Sequence, residues 1–241
     1  MGLMDARDVR FTIADGSRTL RAVHRLRYDV YVREFGFFSP VKHTDDLLVD
    51  AFDGAGLHPI ALEGDEVVGA LRLVLHSERG FPLAHVLPSF RCPGPPEKTA
   101  ELSHLVIDKR WRRRREDGLF GAEGYLTVAE GGVLPNHDPL PPVLKRRSRP
   151  IIILGLLRTA YQMSRRLGIE WWLMLAEKRL HALLNRHGIP FYQMADPLGG
   201  PDGPRPSLLT VSELEAHLKR LHDSVFDEFL EGLEPQYRPK S

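Results

Sequence analysis

Residues 100–107, Ala-Glu-Leu-Ser-His-Leu-Val-Ile, form a strand-like run that places a carboxylate, Glu101, among leucine, valine and isoleucine, and the run exits into Asp108-Lys109-Arg110-Trp111-Arg112-Arg113-Arg114-Arg115. A glutamate carried into an apolar interior is costly as an anion, so it is either ion-paired or has its pKa raised. Both outcomes suit a general base. The alternative is an edge strand with Glu101 in water and a solvated basic turn after it. What decides between them is whether the rest of the chain supplies buried partners.

The chain of 241 residues is 42% hydrophobic, enough for a packed globule, and its 33 Lys and Arg nearly balance its 32 Asp and Glu. A formal charge of +1 removes any global sign of a nucleic-acid binder, and the basic runs lack the aromatic interleaving of single-strand binders. Cys92 is the one cysteine, which excludes an intrachain disulfide and suits a reducing cytoplasm. No signal core precedes the first predicted strand, and runs such as Ile151-Ile152-Ile153-Leu154 are too short to span a bilayer. The expectation is a soluble, cytoplasmic protein. The 11 histidines show no metal-ligand spacing, so no metal is expected.

Taken in order, residues 9–14 alternate as a first strand, and Asp15-Gly16-Ser17 turns the chain into a helix. On that helix Val23, Arg27, Val30, Tyr31 and Glu34 share one stripe, so Arg27 either has an acidic partner or snorkels to the helix edge. Phe35-Gly36-Phe37-Phe38-Ser39-Pro40 ends the helix; its three phenylalanines either pack in the core or cover an apolar ligand. A polar loop follows, closing with Asp50-Ala51-Phe52-Asp53. Residues 58–62 and 67–75 flank the turn Glu63-Gly64-Asp65-Glu66 and predict an antiparallel hairpin, in which Arg72 is a charge on an apolar strand and needs a carboxylate. A proline-rich stretch from Pro82 to Pro96 leads into the Glu101 strand.

Residues 110–149 read as an irregular insertion ending in Lys145-Arg146-Arg147-Ser148-Arg149. Pro150 opens an apolar helix that stops at Gly168, followed by a strand over 169–176, a helix over 177–187 and a last strand around 191–194. A Pro/Gly hairpin over 196–206 precedes an amphipathic helix from about 211 to 230, with no internal repeat anywhere.

The pattern Arg27-Tyr28-x-x-Tyr31, Asp50-x-x-Asp53, Gly69-x-x-Arg72-Leu73 and Glu101-x-Ser103 resembles the acyl-homoserine-lactone autoinducer synthases and the long-chain N-acyl amino acid synthases. Arg149-Pro150, Leu167-Gly168-Ile169, the segment from Glu177-Lys178-Arg179-Leu180 to His187-Gly188-Ile189-x-Phe191, and Gly203-Pro204-Arg205-Pro206 are similar to the PEP-CTERM/exosortase system-associated acyltransferases. The combined likeness runs from about residue 20 to 210 and implies one domain over 1–241 with a GNAT (acyl-CoA N-acyltransferase-like) α/β fold, its mixed, mostly antiparallel sheet flanked by helices.

That resemblance implies an N-acyltransferase moving a fatty acyl group from a phosphopantetheine thioester to the amine of a small molecule such as an amino acid. The co-substrate is acyl carrier protein (acyl-ACP) or acyl-CoA, and no cofactor is bound. The usual CoA phosphate loop is not visible, which favours the carrier protein as donor and partner. Glu101 is the candidate base, Ser103 orients or donates, and His104 stands where the related families usually have arginine. His104 is either a second base or a satisfied, partly buried histidine. Arg27, Tyr31, Asp50, Asp53 and Arg72 shape the amine site or form a structural ion-pair network. Lys109, Arg110, Arg112, Arg113, Arg114 and Arg149 are the candidate carrier-docking residues. The aliphatic helix after Pro150 and the Trp171-Trp172 strand are candidates to line an acyl tunnel. Two alternatives stand beside this reading: an autoinducer synthase, and a non-catalytic acyl-carrier or lipid-sensing protein.

Overall fold

A computed structural model describes residues 9–39, 45–111 and 151–239. The expected insertion over 110–149 lies outside these residues beyond Trp111, as do Arg112, Arg113, Arg114 and Arg149.

The elements follow from the patterning. β1 (Val9–Ile13) leads into α1 (Gly16–Tyr28), and Gly16 takes the left-handed φ of 72° that starts this turn. The helix continues as a π-helical segment, Asp29–Glu34, whose wider turn is closed by the Phe35 amide donating to the Val30 carbonyl. That change of pitch breaks the expected stripe: Val23, Arg27 and Val30 are buried, whereas Glu34 turns out to solvent. β2 (Gly56–Leu57) and β3 (Pro59–Glu63) run in succession along β4 (Glu66–Leu75), so the predicted hairpin forms, with His58 at the break between its first two pieces. The proline-rich stretch contains a short helix, α2 (Pro82–Val86), before β5 (Thr99–Ile107). After the insertion come α3 (Ile151–Leu167), β6 (Trp171–Ala176), α4 (Lys178–Arg186), β7 (Tyr192–Gln193), β8 (Arg205–Thr210), α5 (Val211–Leu221) and α6 (Asp223–Leu230).

Two expectations need correction here. The strand around 191–194 is only a two-residue edge; the strand that joins the sheet is β8, which begins inside the segment read as a Pro/Gly hairpin. The C-terminal helix is two helices, because His222 leaves helical geometry at φ −147°, ψ 55°.

The sheet runs β1-β3-β4-β5-β6-β8-β7, with β2 beside β4, and among the described residues neighbouring strands are antiparallel except β5 with β6. Alternation along the strands divides the side chains between two faces. Leu71, Leu73, Ala100, Leu102, Trp172, Met174 and Leu209 pack with α3, α5 and α6 in the largest core. Ala70 and Val106 face α1, and Leu173 and Leu208 face α2 through Phe81, Leu83 and Leu87. Arg72, Glu101 and Ser103 belong to this second face. Helix α3 and Trp172 therefore lie on the sheet face opposite Glu101, so they are core and the tunnel expected along them is not on the carboxylate's side, whereas Trp171 alternates to the carboxylate's face.

Candidate functional site

The site begins with a neutral sum of buried charges. Arg27 and Arg72 are 0% and 1% exposed. Arg27 Nη1 donates to Asp53 Oδ1 at 2.6 Å, and Arg72 Nη1 donates to Asp50 Oδ1 at 2.6 Å and to Asp53 Oδ1 at 3.0 Å. Two guanidiniums thus meet two carboxylates, and removing one partner would leave a buried charge unpaired at a cost of about 3–5 kcal/mol. Burial by itself would raise both Asp pKa values, but the guanidiniums outweigh it: Arg27 holds Asp53 well below the usual carboxylate range, and Arg72 lowers Asp50. The loop between them is self-locked, since the Asp50 amide donates to Asp53 Oδ2 and the Phe52 amide to Asp50 Oδ1.

Glu101 is 3% exposed, and its Oε2 accepts a 2.8 Å hydrogen bond from the Leu83 amide at the start of α2. Burial raises its pKa to about 7, against the lowering pull of that amide and of the Arg72 charge. It therefore differs from the two aspartates: it is close enough to feel Arg72, yet among the described residues no ion pair holds it. A carboxyl poised near neutrality is what proton abstraction at neutral pH requires. Ser103 lies opposite Arg72 in the ladder, and Arg72 Nε donates to its Oγ at 3.0 Å. Phe52 of the aspartate loop meets His85 of α2 edge to face at 5.2 Å, so the two segments over the sheet touch.

A bulge then re-aims the strand. Between the pairs Ala70–Val106 and Arg72–Ser103, two steps along β4 face three along β5, so the extra residue is on β5. His104 lies there with φ 49°, a left-handed backbone that histidine adopts more readily than most residues. Pairing with β6 stops at Leu102–Met174, so the strands part where the bulge begins. Burial, then Arg72 and Arg27, lower the His104 pKa to about 3, and its imidazole is neutral at ordinary pH. Tyr31 packs on that ring at 5.7 Å and donates its hydroxyl to the Leu105 carbonyl at 3.0 Å.

His58 and His24 belong to the same network. Arg27 Nη2 donates to His58 Nδ1 at 2.8 Å, and burial, then Arg27, lower the His58 pKa to about 4. His24, three residues before Arg27 on α1, has its Nε2 3.9 Å from Asp53 Oδ2. The signal for His24 was its place on the Arg27 stripe; His58 carries no local signal, because only the β2–β3 break turns it inward. Ligand-type atoms of His24, Asp53 and His58 lie within 4.8 Å of one another. They do not suit a cation: the Arg27 guanidinium takes the His58 Nδ1 lone pair, which leaves the neutral ring's proton on Nε2, and two guanidiniums already neutralise Asp53.

The structure brings the candidates Glu101, Ser103, His104, Arg27, Tyr31, Asp50, Asp53 and Arg72 to one place. Of the docking candidates, Lys109 is exposed, and Arg110 is held by Glu66 at 2.6 Å and by Asp108. The phenylalanines do not enter the core: Phe35, Phe37 and Phe38 are 48%, 62% and 43% exposed and cluster beside Tyr31.

Residues 26–120, which hold this whole cluster except His24, match the family model described as an acetyltransferase (GNAT) domain. The chain has the GNAT fold. Solved structures agree on the fold. TofI in a ternary complex with an inhibitor and MTA is 16% identical, with a TM-score of 0.58 over 90% of this chain and 98% of that one. FeeM, an N-acyl amino acid synthase from uncultured soil microbes, is 12% identical, with a TM-score of 0.56 over 88% and 96%. BjaI, a CoA-dependent acyl-homoserine lactone synthase with SAM and isopentyl-CoA, is 18% identical, with a TM-score of 0.54 over 83% and 81%. At these identities the GNAT likeness is one of fold. No curated protein matches the sequence.

Proposed function

We propose that this GNAT protein is an N-acyltransferase that moves a fatty acyl group from a phosphopantetheine thioester, on acyl carrier protein or CoA, to the amine of a small molecule. The observation that carries the reading is Glu101: a carboxyl only 3% exposed, its pKa raised to about 7, beside a charge-neutral Arg/Asp network near the point where β5 leaves β6.

A thioester is already activated, so the protein's task is to place the amine, keep it unprotonated and stabilise the oxyanion. The amine nitrogen bonds to the thioester carbonyl carbon, and Glu101 takes its proton directly or through water. The C–S bond then breaks, and the departing thiolate leaves as the thiol with that proton. Beyond Leu102 the β5 backbone has no β6 partner, so on that edge the amides that point away from β4 are in position to serve the oxyanion or the donor arm. An apolar bed lies beside Glu101 rather than on the far side of the sheet. Leu83, whose amide holds Glu101, packs with Leu87, Leu173, Met194 and Leu198. A cleft of about 650 Å³, lined also by Ser89, Gln193 and Asp196, opens against that cluster at Leu87, Met194, Ala195 and Leu198. This is where we place the acyl chain. The likeness to the PEP-CTERM/exosortase-associated group rests on sequence motifs of the second half alone. Cytoplasmic location belongs to the same reading; among the described residues no helix is long and apolar enough to cross a membrane.

The test is mass spectrometry after incubating the full chain with acyl-ACP or acyl-CoA and a panel of amines. An N-acyl product with stoichiometric free thiol is expected. Binding of the thioester with no thiol release would instead favour a non-catalytic acyl-binding protein.

A further inference from the structure

Asp50 is the one member of the buried charge network that opens outward. Its side chain is 37% exposed, against 9% for Asp53 and 2% for Arg72. Its Oδ1 is filled by Arg72 and the Phe52 amide. Its Oδ2 lies 3.9 Å from His104 Nε2, too far for a hydrogen bond. A donor nitrogen about 2.8 Å from each atom fits between them. Asp50 Oδ2 is an acceptor, and His104 Nε2 is one too in the tautomer that carries the neutral ring's proton on Nδ1. Among the described residues, buried His104 Nδ1 has no hydrogen-bond partner behind the ring.

The charges around this opening are one-sided. Arg27 and Arg72 lie behind the aspartates, 0% and 1% exposed, and Arg25 and Arg33 are engaged with Asp29 and Asp46. On its open side Asp50 faces the neutral His104 ring, and the guanidiniums paired with Asp50 and Asp53 are those of buried Arg27 and Arg72. A carboxylate on the carbon next to the bound nitrogen would approach Asp50 to roughly 4 Å, where like charges repel strongly in a partly buried site. The wall next to His104 is aromatic: Tyr31 at 5.7 Å from its ring, then Phe37 and Phe38 at 6.0 and 6.3 Å from Tyr31, both exposed. Such a wall receives apolar groups and tolerates a nearby cation over its ring faces.

We propose that the acceptor is a primary amine carrying an apolar or aromatic group and no carboxylate beside the nitrogen, its nitrogen held between Asp50 Oδ2 and His104 Nε2 and its apolar group against Tyr31, Phe37 and Phe38. This names the amine class for the acyl transfer proposed above and rests on that reading. It also departs from the amino-acid acceptor that the sequence resemblance implies.

Phenethylamine and L-phenylalanine differ only by the carboxylate, so they separate the two cases. With the full chain and an acyl thioester, phenethylamine is expected to show a kcat/KM about tenfold or more above that of L-phenylalanine. Calorimetric titration of each compound, without thioester, is expected to give the same order of affinity. Equal or better use of L-phenylalanine, or no binding of phenethylamine, overturns the proposal. Tight phenethylamine binding with no thiol release from any thioester sinks the acyl-transfer reading and leaves the amine site standing. His104→Arg supplies the missing cation and should shrink or invert the preference. If that variant does not fold, Asp50→Asn should raise the phenethylamine KM about tenfold and change that of L-phenylalanine less. A folded His104→Arg variant, or an Asp50→Asn variant, with an unchanged ratio removes these residues from recognition.

Discussion

Glu101 has one backbone donor, 3% exposure and a pKa raised from 4.5 to about 7 by burial. Between those two values the folded chain keeps a proton that the unfolded chain has released, so this group makes stability fall as pH rises through the window. The full penalty above pH 7 is on the order of 3 kcal/mol as an upper bound. Glu101→Gln keeps an acceptor for the Leu83 amide and removes the charge. It should therefore be more stable than the parent by up to ~3 kcal/mol at pH 8, lose that advantage toward pH 4, and have no acyl transfer at any pH. Urea unfolding at both pH values checks the first part, and thiol release the second. Lower stability of the variant at pH 8 would mean that Glu101 is a structural anion paired with Arg72. This residue, like Arg27 and Arg72, was legible because a charge inside an apolar run or stripe is anomalous in one dimension. His58 was not, since a histidine beside a strand looks ordinary until Arg27, 31 positions away in the chain, is seen donating to it.

At the scale of elements, legibility followed regularity. The hairpin, α1, α3, β6 and α4 announce themselves by period, and the structure puts them where the pattern does. β8 was hidden by its own chemistry. Pro206 sits opposite Leu175 in the ladder and has no amide to donate, which marks it against a central strand. It is tolerated because its carbonyl accepts from Met194 and because β7 is too short to demand a donor there. The break at His222 was hidden for the opposite reason: Leu218, Val225, Phe226 and Phe229 all reach the core on either side of it, so apolar spacing continues through the bend. Close approach between elements is also invisible in sequence. A Cβ on Gly155 of α3 would come within 2.2 Å of the Phe11 ring on β1. Gly155→Ala would gain about 1 kcal/mol of helix propensity and incur overpacking of about 1–3 kcal/mol. A net loss of up to roughly 2 kcal/mol is expected, seen as a lower Tm with kcat/KM little changed. A stabilised variant would show that β1 yields to the helix freely.

Across the whole molecule, the same buried network that prepares the site makes the fold sensitive to acid. His58 and His104 have pKa values lowered to about 4 and about 3, and His24 is lowered as well, in each case first by burial. Below the ordinary histidine value of 6.5 the unfolded chain takes up protons that these folded rings refuse. Stability is therefore fully present above that value and is lost as pH falls from 6.5 toward 4. Asp53, held low by Arg27 and Arg72, works in the same direction but only below the ordinary carboxylate range near 3.8. The two contributions separate on the pH axis: histidines first, the aspartate pair later. Glu101 adds a third, opposite slope, lowering stability as pH rises toward 7. Maximum stability should thus fall near pH 6 to 7. His58→Gln replaces the titrating ring with a neutral side chain whose amide oxygen remains available to Arg27. Its unfolding free energy should fall less steeply between pH 6.5 and 4, by about one proton's worth of slope, while the loss below pH 4 stays. Chemical denaturation across that range reads the slope directly, and an unchanged slope in the variant would mean that His58 is already protonated in the folded chain. In that case Arg27 would face a cation across 2.8 Å, and the hydrogen bond that fixes the imidazole's tautomer would have to be redrawn.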